Sequence, residues 1–185
     1  SATGQAAQLA ADGVSDLIDV TCVDSMSITG GLGTIIRKAA QAANGGASIE
    51  EIVTLVEDLR SRTRIIATLD TLENLKKGGR IGGAAAMLGT IVQIKPCLDL
   101  SSGEVVEAGR QRTRKKACQW LRYELSKAGE VESVTIIHGN APDVDEFHSS
   151  LADIVPLDQI LVTQLGAVIG THGGPRVLGL TFLVK

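Results

Sequence analysis

The chain has 185 residues and a formal net charge of −3, and its apolar residues are mainly aliphatic, with few aromatic rings. This composition argues against nucleic acid as a partner, because the chain has neither an excess of basic residues nor many aromatic rings on which bases could stack. No apolar run approaches the ~20 residues of a membrane-spanning helix. Cys22, Cys97 and Cys118 have neither paired nor metal-type spacing, which predicts reduced thiols, no metal site and a cytoplasmic location.

The first predicted elements follow the order of an open α/β sheet. Residues 1–11 are rich in alanine and favour a helix, and because they start without methionine we expect a part of the protein upstream of them. Residues 17–23 form a short apolar run that predicts a strand. A turn rich in hydroxyls and glycines follows, and then a predicted helix to about Ala43.

Ser25 and Ser27 lie in that turn and are candidate ligand residues. At the carboxyl end of a strand, hydroxyls and the free N–H groups of a helix start suit an anion or a carboxylate. The alternative is that both serines only cap the helix. The glycines here do not have the spacing of a dinucleotide-binding loop.

A capping box at Ser48–Glu51 predicts the next helix, which has one apolar face and ends near Arg62. A strand is predicted over residues 64–69. From about Thr90 the predicted elements form a hairpin and no longer a βα unit, and we place a domain boundary between residues 1–70 and 71–185.

Residues 70–83 predict a short helix whose end fixes the direction of one arginine side chain. Leu72 and Leu75 lie three residues apart, and Gly78 and Gly79 then supply positions that tolerate positive φ. Arg80 follows directly. The alternative is an ordinary glycine-rich helix end with a solvated arginine.

A β-hairpin is predicted over residues 90–109, followed by a helix over residues 113–128. Several basic side chains lie at the start of this helix, where the positive end of the helix dipole disfavours them. An anion bound among them would offset this repulsion. The basic residues are Arg110, Arg112, Arg114, Lys115 and Lys116. The alternative is a solvated basic face.

The remaining predicted elements are strands at residues 134–137, 160–165 and 178–184 and a helix at residues 143–152. Residues 166–175 carry His172 between glycines, which predicts a loop with exposed N–H groups beside a titratable ring. A structural role stays open for His172. It is the role we assign to His138 and His148.

Three motifs together resemble the DegV family of bacterial fatty-acid-binding proteins. They are Asp-Ser at residues 24–25 with Ser27 and Gly30, Leu-Lys-Lys-Gly-Gly-Arg-Ile at residues 75–81, and Gly-Thr-His-Gly-Gly-Pro at residues 170–175. The resemblance runs along essentially the whole chain in the right order. Ser1-Ala2-Thr3-Gly4 departs from the Ser-Gly-Thr stretch of the family, and the usual first βαβ units are absent from this chain.

The resemblance implies an α/β protein in which the remainder of a three-layer parallel-sheet lobe, residues 1–70, precedes a two-layer lobe with a mixed sheet, residues 71–185. One long-chain fatty acid would occupy an internal apolar tunnel, with no cofactor. Its carboxyl group would be presented to a partner kinase that makes acyl phosphate with ATP, so the chain is a carrier and not an enzyme. Contact with a membrane would be transient at most.

Carried over by motif, the resemblance places Arg80, Arg112 and His172 around the carboxylate or acyl phosphate. Ser25 and Ser27 complete the expected head-group site. Two other functions stay open: a stand-alone phosphotransferase or hydrolase that uses His172 as a general base, and an α/β module without a ligand. Against the enzyme, the chain has no Walker-type motif, no nucleophile elbow and no obvious pair of carboxylates for a metal.

Overall fold

A mixed six-stranded sheet with helices on both faces forms the framework of the protein. The computed structural model describes residues 2–88 and 94–185. The helices are α1 Ala2–Asp12, α2 Thr29–Asn44, α3 Ile49–Arg62, α4 Glu73–Lys77, α5 Arg114–Lys127, α6 Val144–Ser149 and α7 Ala167–Gly173, with 3-10 helices at Gly82–Met87 and Leu157–Gln159. The strands are β1 Thr63–Thr68, β2 Lys95–Asp99, β3 Val106–Gln111, β4 Val131–His138, β5 Ile160–Gln164 and β6 Leu178–Val184.

The strands lie in the order β3-β2-β1-β6-β4-β5. Only β4 and β5 are parallel, and the other neighbouring pairs in this sheet are antiparallel. The expected α/β class with a mixed sheet is confirmed. β1 precedes the boundary predicted at residues 70 and 71, yet it is hydrogen-bonded to β2 and β6, which follow that boundary. The division of the chain between two lobes stays a prediction.

Side chains alternate between the two faces of the sheet and so separate two parts of the core. Ile66, Leu180 and Ile136 lie in one row across three strands and pack with Leu121 and Leu125 of α5. The opposite face is covered by α2 and α3, which bury a smaller apolar cluster of Ile35, Val56, Leu59 and Leu183. The sheet is therefore the middle of three layers.

The start of α3 follows the sequence prediction closely. The Ser48 hydroxyl accepts a hydrogen bond from the N–H of Glu51, and the Glu51 carboxylate accepts one from the N–H of Ser48 at 2.8 Å. This reciprocal capping box satisfies two N–H groups that the helix leaves unpaired. The predicted hairpin is also confirmed in β2 and β3, although its first predicted residues, 90–93, lie outside the described residues.

The predicted strand at residues 17–23 is wrong. These residues have no regular secondary structure, and Leu17 and Ile18 are 86% and 60% exposed. A strand needs a neighbour for its backbone hydrogen bonds, and no described strand lies beside this segment. A smaller difference concerns α6, which ends at Ser149 instead of Ala152.

Acid is expected to weaken the attachment of α2 and α3 to the sheet. Glu132 of β4 accepts from Lys38 at 2.8 Å and from Arg62 at 2.7 Å, and these two hydrogen bonds hold the pKa of Glu132 below its ordinary value. A carboxyl group with a lowered pKa in the folded state contributes stability above its unfolded pKa of about 4.3 and loses that contribution as the pH falls further. In urea unfolding between pH 6 and pH 3, Glu132→Gln should therefore flatten the loss of stability on acidification.

Glu57→Gln is the matched control for this prediction, because Glu57 is an exposed residue of α3 with no ion pair among the described residues. It should leave the acid dependence of the free energy of unfolding close to that of the parent. An unchanged slope in Glu132→Gln would contradict the role given to this ion-pair network.

Candidate functional site

Several connecting segments meet at one end of the sheet. Thr68 of β1 pairs with Cys97 and Leu178, and His138 of β4 pairs with Leu178 and Gln164. The carboxyl ends of β1, β4 and β5 therefore lie at the same end, and β3 also finishes there because it runs antiparallel to β2. Ligands of open α/β sheets bind outside the carboxyl ends of strands. We call this the site end of the sheet.

The helix that follows β1 closes with a Schellman motif. Gly79 has φ of +66°, its N–H donates to the carbonyl of Lys76 at 3.1 Å, and the N–H of Arg80 donates to the carbonyl of Leu75 at 2.9 Å. The predicted helix stop is confirmed. The Arg80 side chain is exposed, and its Nη1 donates to the carbonyl of Gly78 at 3.0 Å. The backbone of the motif thus fixes the position of the Arg80 Cα, from which the side chain extends.

The residues that lead into α4 have separate roles. The Thr71 hydroxyl accepts a hydrogen bond of 3.2 Å from the N–H of Glu73, the first residue of α4. Asp70 instead pairs with Lys95 Nζ at 2.8 Å and with Arg176 Nε at 3.3 Å. The sequence motifs do not single out this ion-paired group, although an acidic residue directly after an apolar strand is a signal for the carboxyl end of a sheet. The group ties the end of β1 to the starts of β2 and β6.

His172 lies in the last turn of α7, where a loop was expected. The prediction of a loop was wrong because four glycines in residues 166–175 suggested poor helix formation, whereas α4 packs against α7 and supports it. The imidazole lies against the backbone of Gly78, with Nδ1 buried and without a hydrogen-bond partner among the described residues. The structure therefore brings His172 and the segment before Arg80 together.

Arg112 lies between β3 and α5, next to the site end. It is exposed, and within residues 2–88 and 94–185 its guanidinium has no hydrogen-bond or ion-pair partner. Two of its basic neighbours are engaged: Arg110 pairs with Glu107, and Arg114 pairs with Asp143 through two hydrogen bonds of 2.7 and 2.9 Å. The Arg114 guanidinium also holds the pKa of Asp143 below its ordinary range. Arg112 thus keeps its charge available at the surface.

Ser25 and Ser27 lie in the segment before α2, away from the site end. The Ser27 hydroxyl packs against Gly31 of α2, which lies over Thr63 and Ile65 in the first half of β1. This position is about 10 Å along the strand from Thr68 at the site end. Neither serine caps α2, because Ile28 occupies the cap position without a side-chain hydrogen bond. The structure does not bring the two serines into contact with His172.

A groove of about 400 Å³ runs between α2 and the sheet. Its lining includes Thr34 of α2, Thr135 and Ile137 of β4, Leu161 and Thr163 of β5, and Ile169 of α7. α2 can approach the sheet because Gly30 has no side chain: a Cβ there would lie 2.6 Å from the Thr181 hydroxyl. The resemblance implied an apolar tunnel, whereas threonines and glycines accompany Ile and Leu in the lining of this groove.

A second cleft, of about 490 Å³, lies between α5 and α6 on the opposite face of the sheet. Its charged groups largely satisfy one another, since Arg114 pairs with Asp143 and Arg122 donates to the carbonyl of Ser150 and pairs with Asp153. It shares no lining residue with the first groove. We therefore place the candidate ligand site in the groove beside α2 and α7.

The family profile described as "Uncharacterised protein, DegV family" matches residues 1–185, the whole chain. The chain belongs to the DegV family. A DegV domain-containing protein of Caldanaerobacter subterraneus is 33% identical over all of this chain and 67% of its own length. Curated DegV relatives are matched over 58% to 67% of their length, so the chain corresponds to about two thirds of such a protein.

Two solved DegV structures share the fold of the whole chain. One is a DegV family protein from Thermus thermophilus described by its fatty acid binding, with a TM-score of 0.88, 35% identity and 67% of that chain covered. The other is a fatty acid binding DegV family protein from Streptococcus agalactiae, with a TM-score of 0.88, 25% identity and 66% covered. No described helix of the present DegV chain is long and apolar enough to cross a membrane.

Proposed function

We propose that this DegV protein binds a long-chain fatty acid and presents its carboxyl group to a partner kinase, which forms acyl phosphate with ATP. The alkyl chain lies in the groove between α2 and the sheet. The carboxylate lies at the site end, among Arg80, Arg112 and His172. Ser25 and Ser27 precede Thr29, which also lines the groove, and are proposed to meet the ligand from the α2 side.

One observation carries the proposal: a single face of α7 links the groove to the charged end of the sheet. Ile169 lines the groove, and His172 follows three residues later, on the same side of the helix. A ligand that packs its tail on Ile169 therefore brings its head to the imidazole. A ligand with an apolar tail and one anionic end fits a groove that leads to a positively charged end of the sheet.

The energetics also favour a carrier. Burial of a hydrocarbon chain yields ~0.8 kcal/mol per methylene, so most of the binding free energy comes from the groove. The exposed cations at the site end then remain free to act on the carboxyl group and on the phosphoryl group that it receives. Because the kinase binds ATP and provides the residues that catalyse phosphoryl transfer, no catalytic residue is assigned to this chain.

The arrangement of His172 favours this function over a hydrolase or phosphotransferase. A general-base histidine is normally oriented by a carboxylate on its second ring nitrogen. Nδ1 of His172 faces Gly78 instead and has no such partner among the described residues, and the Asp70 carboxylate pairs with Lys95 and Arg176. The imidazole is thus placed to bind rather than to abstract a proton.

The test is mass spectrometry of an organic extract of the purified full-length protein. We expect about one fatty acid per protein. Leu161→Asp should lower this amount at least about tenfold, because a carboxylate in the groove and the lost leucine contacts together cost more than 1.4 kcal/mol. Leu161 is 59% exposed on β5, so the fold should tolerate the change.

Val162→Asp is the matched control, because Val162 is the next residue of the same strand and points to the opposite face. It should retain the fatty acid. Absence of fatty acid from the parent protein, or equal retention by both variants, would remove the groove as a lipid site.

A further inference from the structure

The two adjacent glycines at the end of α4 meet different requirements. Gly79 has φ of +66°, and a Cβ added there would meet nothing within 4 Å, so this position needs glycine for its backbone conformation. Gly78 has φ of −81° and ψ of −1°, which any residue adopts. A Cβ at Gly78 would overlap His172 Nδ1 and lie 2.6 Å from its Cε1. Gly78 therefore leaves space for the imidazole.

The same relation holds in the reverse direction between the two helices. Gly174, directly after α7, has φ of +79°, and a Cβ there would overlap the Asn74 side-chain amide, with Cγ at 3.3 Å. Asn74 belongs to α4 and His172 to α7. Each helix thus places one side chain into the space that a glycine of the other helix leaves open.

We propose that this reciprocal packing of α4 and α7 positions the His172 ring, and that Gly78, Asn74 and Gly174 are positioning residues for the head-group site. The packing turns Nδ1 toward Gly78 and leaves Nε2 as the nitrogen that meets the carboxylate or acyl phosphate. Arg80 lies two residues after Gly78 in the chain. The contact between Gly78 and the His172 ring therefore also sets the distance between the imidazole and the guanidinium. The chemical role rests on the proposed function, whereas the packing itself does not.

The reactivity of a bound group depends strongly on such placement. A displacement of about 1 Å at a positioning residue can lower a rate by about 100-fold even when the fold is intact. A methyl group at Gly78 must push the ring away, because the backbone of a Schellman motif has little freedom to move. Loss of turnover without loss of the lipid is therefore the expected consequence.

The experiment compares Gly78→Ala with Gly170→Ala in the full-length protein. Gly170 lies in α7, and a Cβ there meets nothing within 4 Å, so this control leaves the ring in place. Nuclear magnetic resonance should show a shifted Cε1–H signal for His172 in Gly78→Ala only, with those of His138 and His148 unchanged. With kinase and ATP, acyl-phosphate formation should fall about 10- to 100-fold in Gly78→Ala and stay within about twofold in Gly170→Ala.

A double-mutant cycle separates positioning from general damage. In a His172→Ala background, Gly78→Ala should cost no further activity, because the added methyl group then meets an empty space. An equal further loss in that background would overturn the proposal, as would an unshifted His172 signal in Gly78→Ala. If the parent protein supports no acyl-phosphate formation, the proposed function fails, and the resonance comparison still decides whether Gly78 positions the ring.

Discussion

Replacement of Arg80 by alanine is expected to lower acyl-phosphate formation by about 100- to 1,000-fold, the usual effect of removing one group that stabilises developing charge. The bound fatty acid should stay nearly constant, because the groove supplies most of the binding free energy through the alkyl chain. The structure supports this separation, since Arg80 is exposed at the site end, whereas the groove lies between α2 and the sheet.

The assay combines the full-length protein, its kinase, ATP and a fatty acid, and measures acyl phosphate and retained lipid in parallel. Arg112→Ala should behave like Arg80→Ala, because Arg112 is also an exposed arginine next to the site end. Lys77→Ala is the control: it removes one positive charge from the last turn of the same helix, outside the proposed site. Parallel losses of lipid and of acyl phosphate in the arginine variants would contradict the assignment.

A second large effect is expected where α2 touches the sheet. A Cβ at Gly30 would lie 2.6 Å from the Thr181 hydroxyl and 2.9 Å from Thr135 Cγ2. Gly30→Val must therefore push the helix away from two buried threonines, at a cost of about 3 kcal/mol for overpacking. For a chain of this size, that loss corresponds to a decrease of about 6–12 °C in Tm.

Gly33→Val provides the comparison for this prediction, because a Cβ at Gly33 of the same helix meets nothing within 4 Å. Valine and glycine differ little in a helix interior, so the change in free energy of unfolding should stay within about 0.5 kcal/mol. Thermal unfolding followed by circular dichroism measures both. Equal Tm values for the two variants would show that α2 adapts to the sheet without cost.

The features predicted correctly from sequence are those stabilised by near neighbours in the chain. The capping box of Ser48 and Glu51 and the stop at Gly79 depend on contacts between residues a few positions apart, and the β2–β3 hairpin pairs two strands that follow each other in sequence. Their residue types therefore carry the information. No knowledge of the rest of the fold is needed to place them.

The features predicted wrongly depend on partners that are distant in sequence. Residues 17–23 have the composition of a strand but lack a neighbouring strand among the described residues. Residues 167–173 have the composition of a loop but form α7 because α4 packs on them. In both cases tertiary contacts, or their absence, override local preference.

The candidate site shows the same division. Motifs in the sequence single out Arg80, Arg112 and His172, but they cannot indicate that the His172 ring lies against Gly78 or that Asp70 joins Lys95 and Arg176. The motifs do not indicate the groove either, because its lining comes from five elements that are separate in sequence. Contacts of this kind follow from the order of strands in the sheet.

The central position of β6 has a consequence for how the chain folds. β6 follows every other strand in sequence, yet it lies between β1 and β4, and Thr63 pairs with Leu183. Among the described strands, β6 alone joins the β3-β2-β1 part of the sheet to the β4-β5 part. Loop-closure entropy makes such long-range pairing slow, so the folding rate is expected to be governed by the arrival of β6. Until then the edges of β1 and β4 are open to pairing between molecules, which makes the concentration of nascent chains the variable that decides between folding and aggregation.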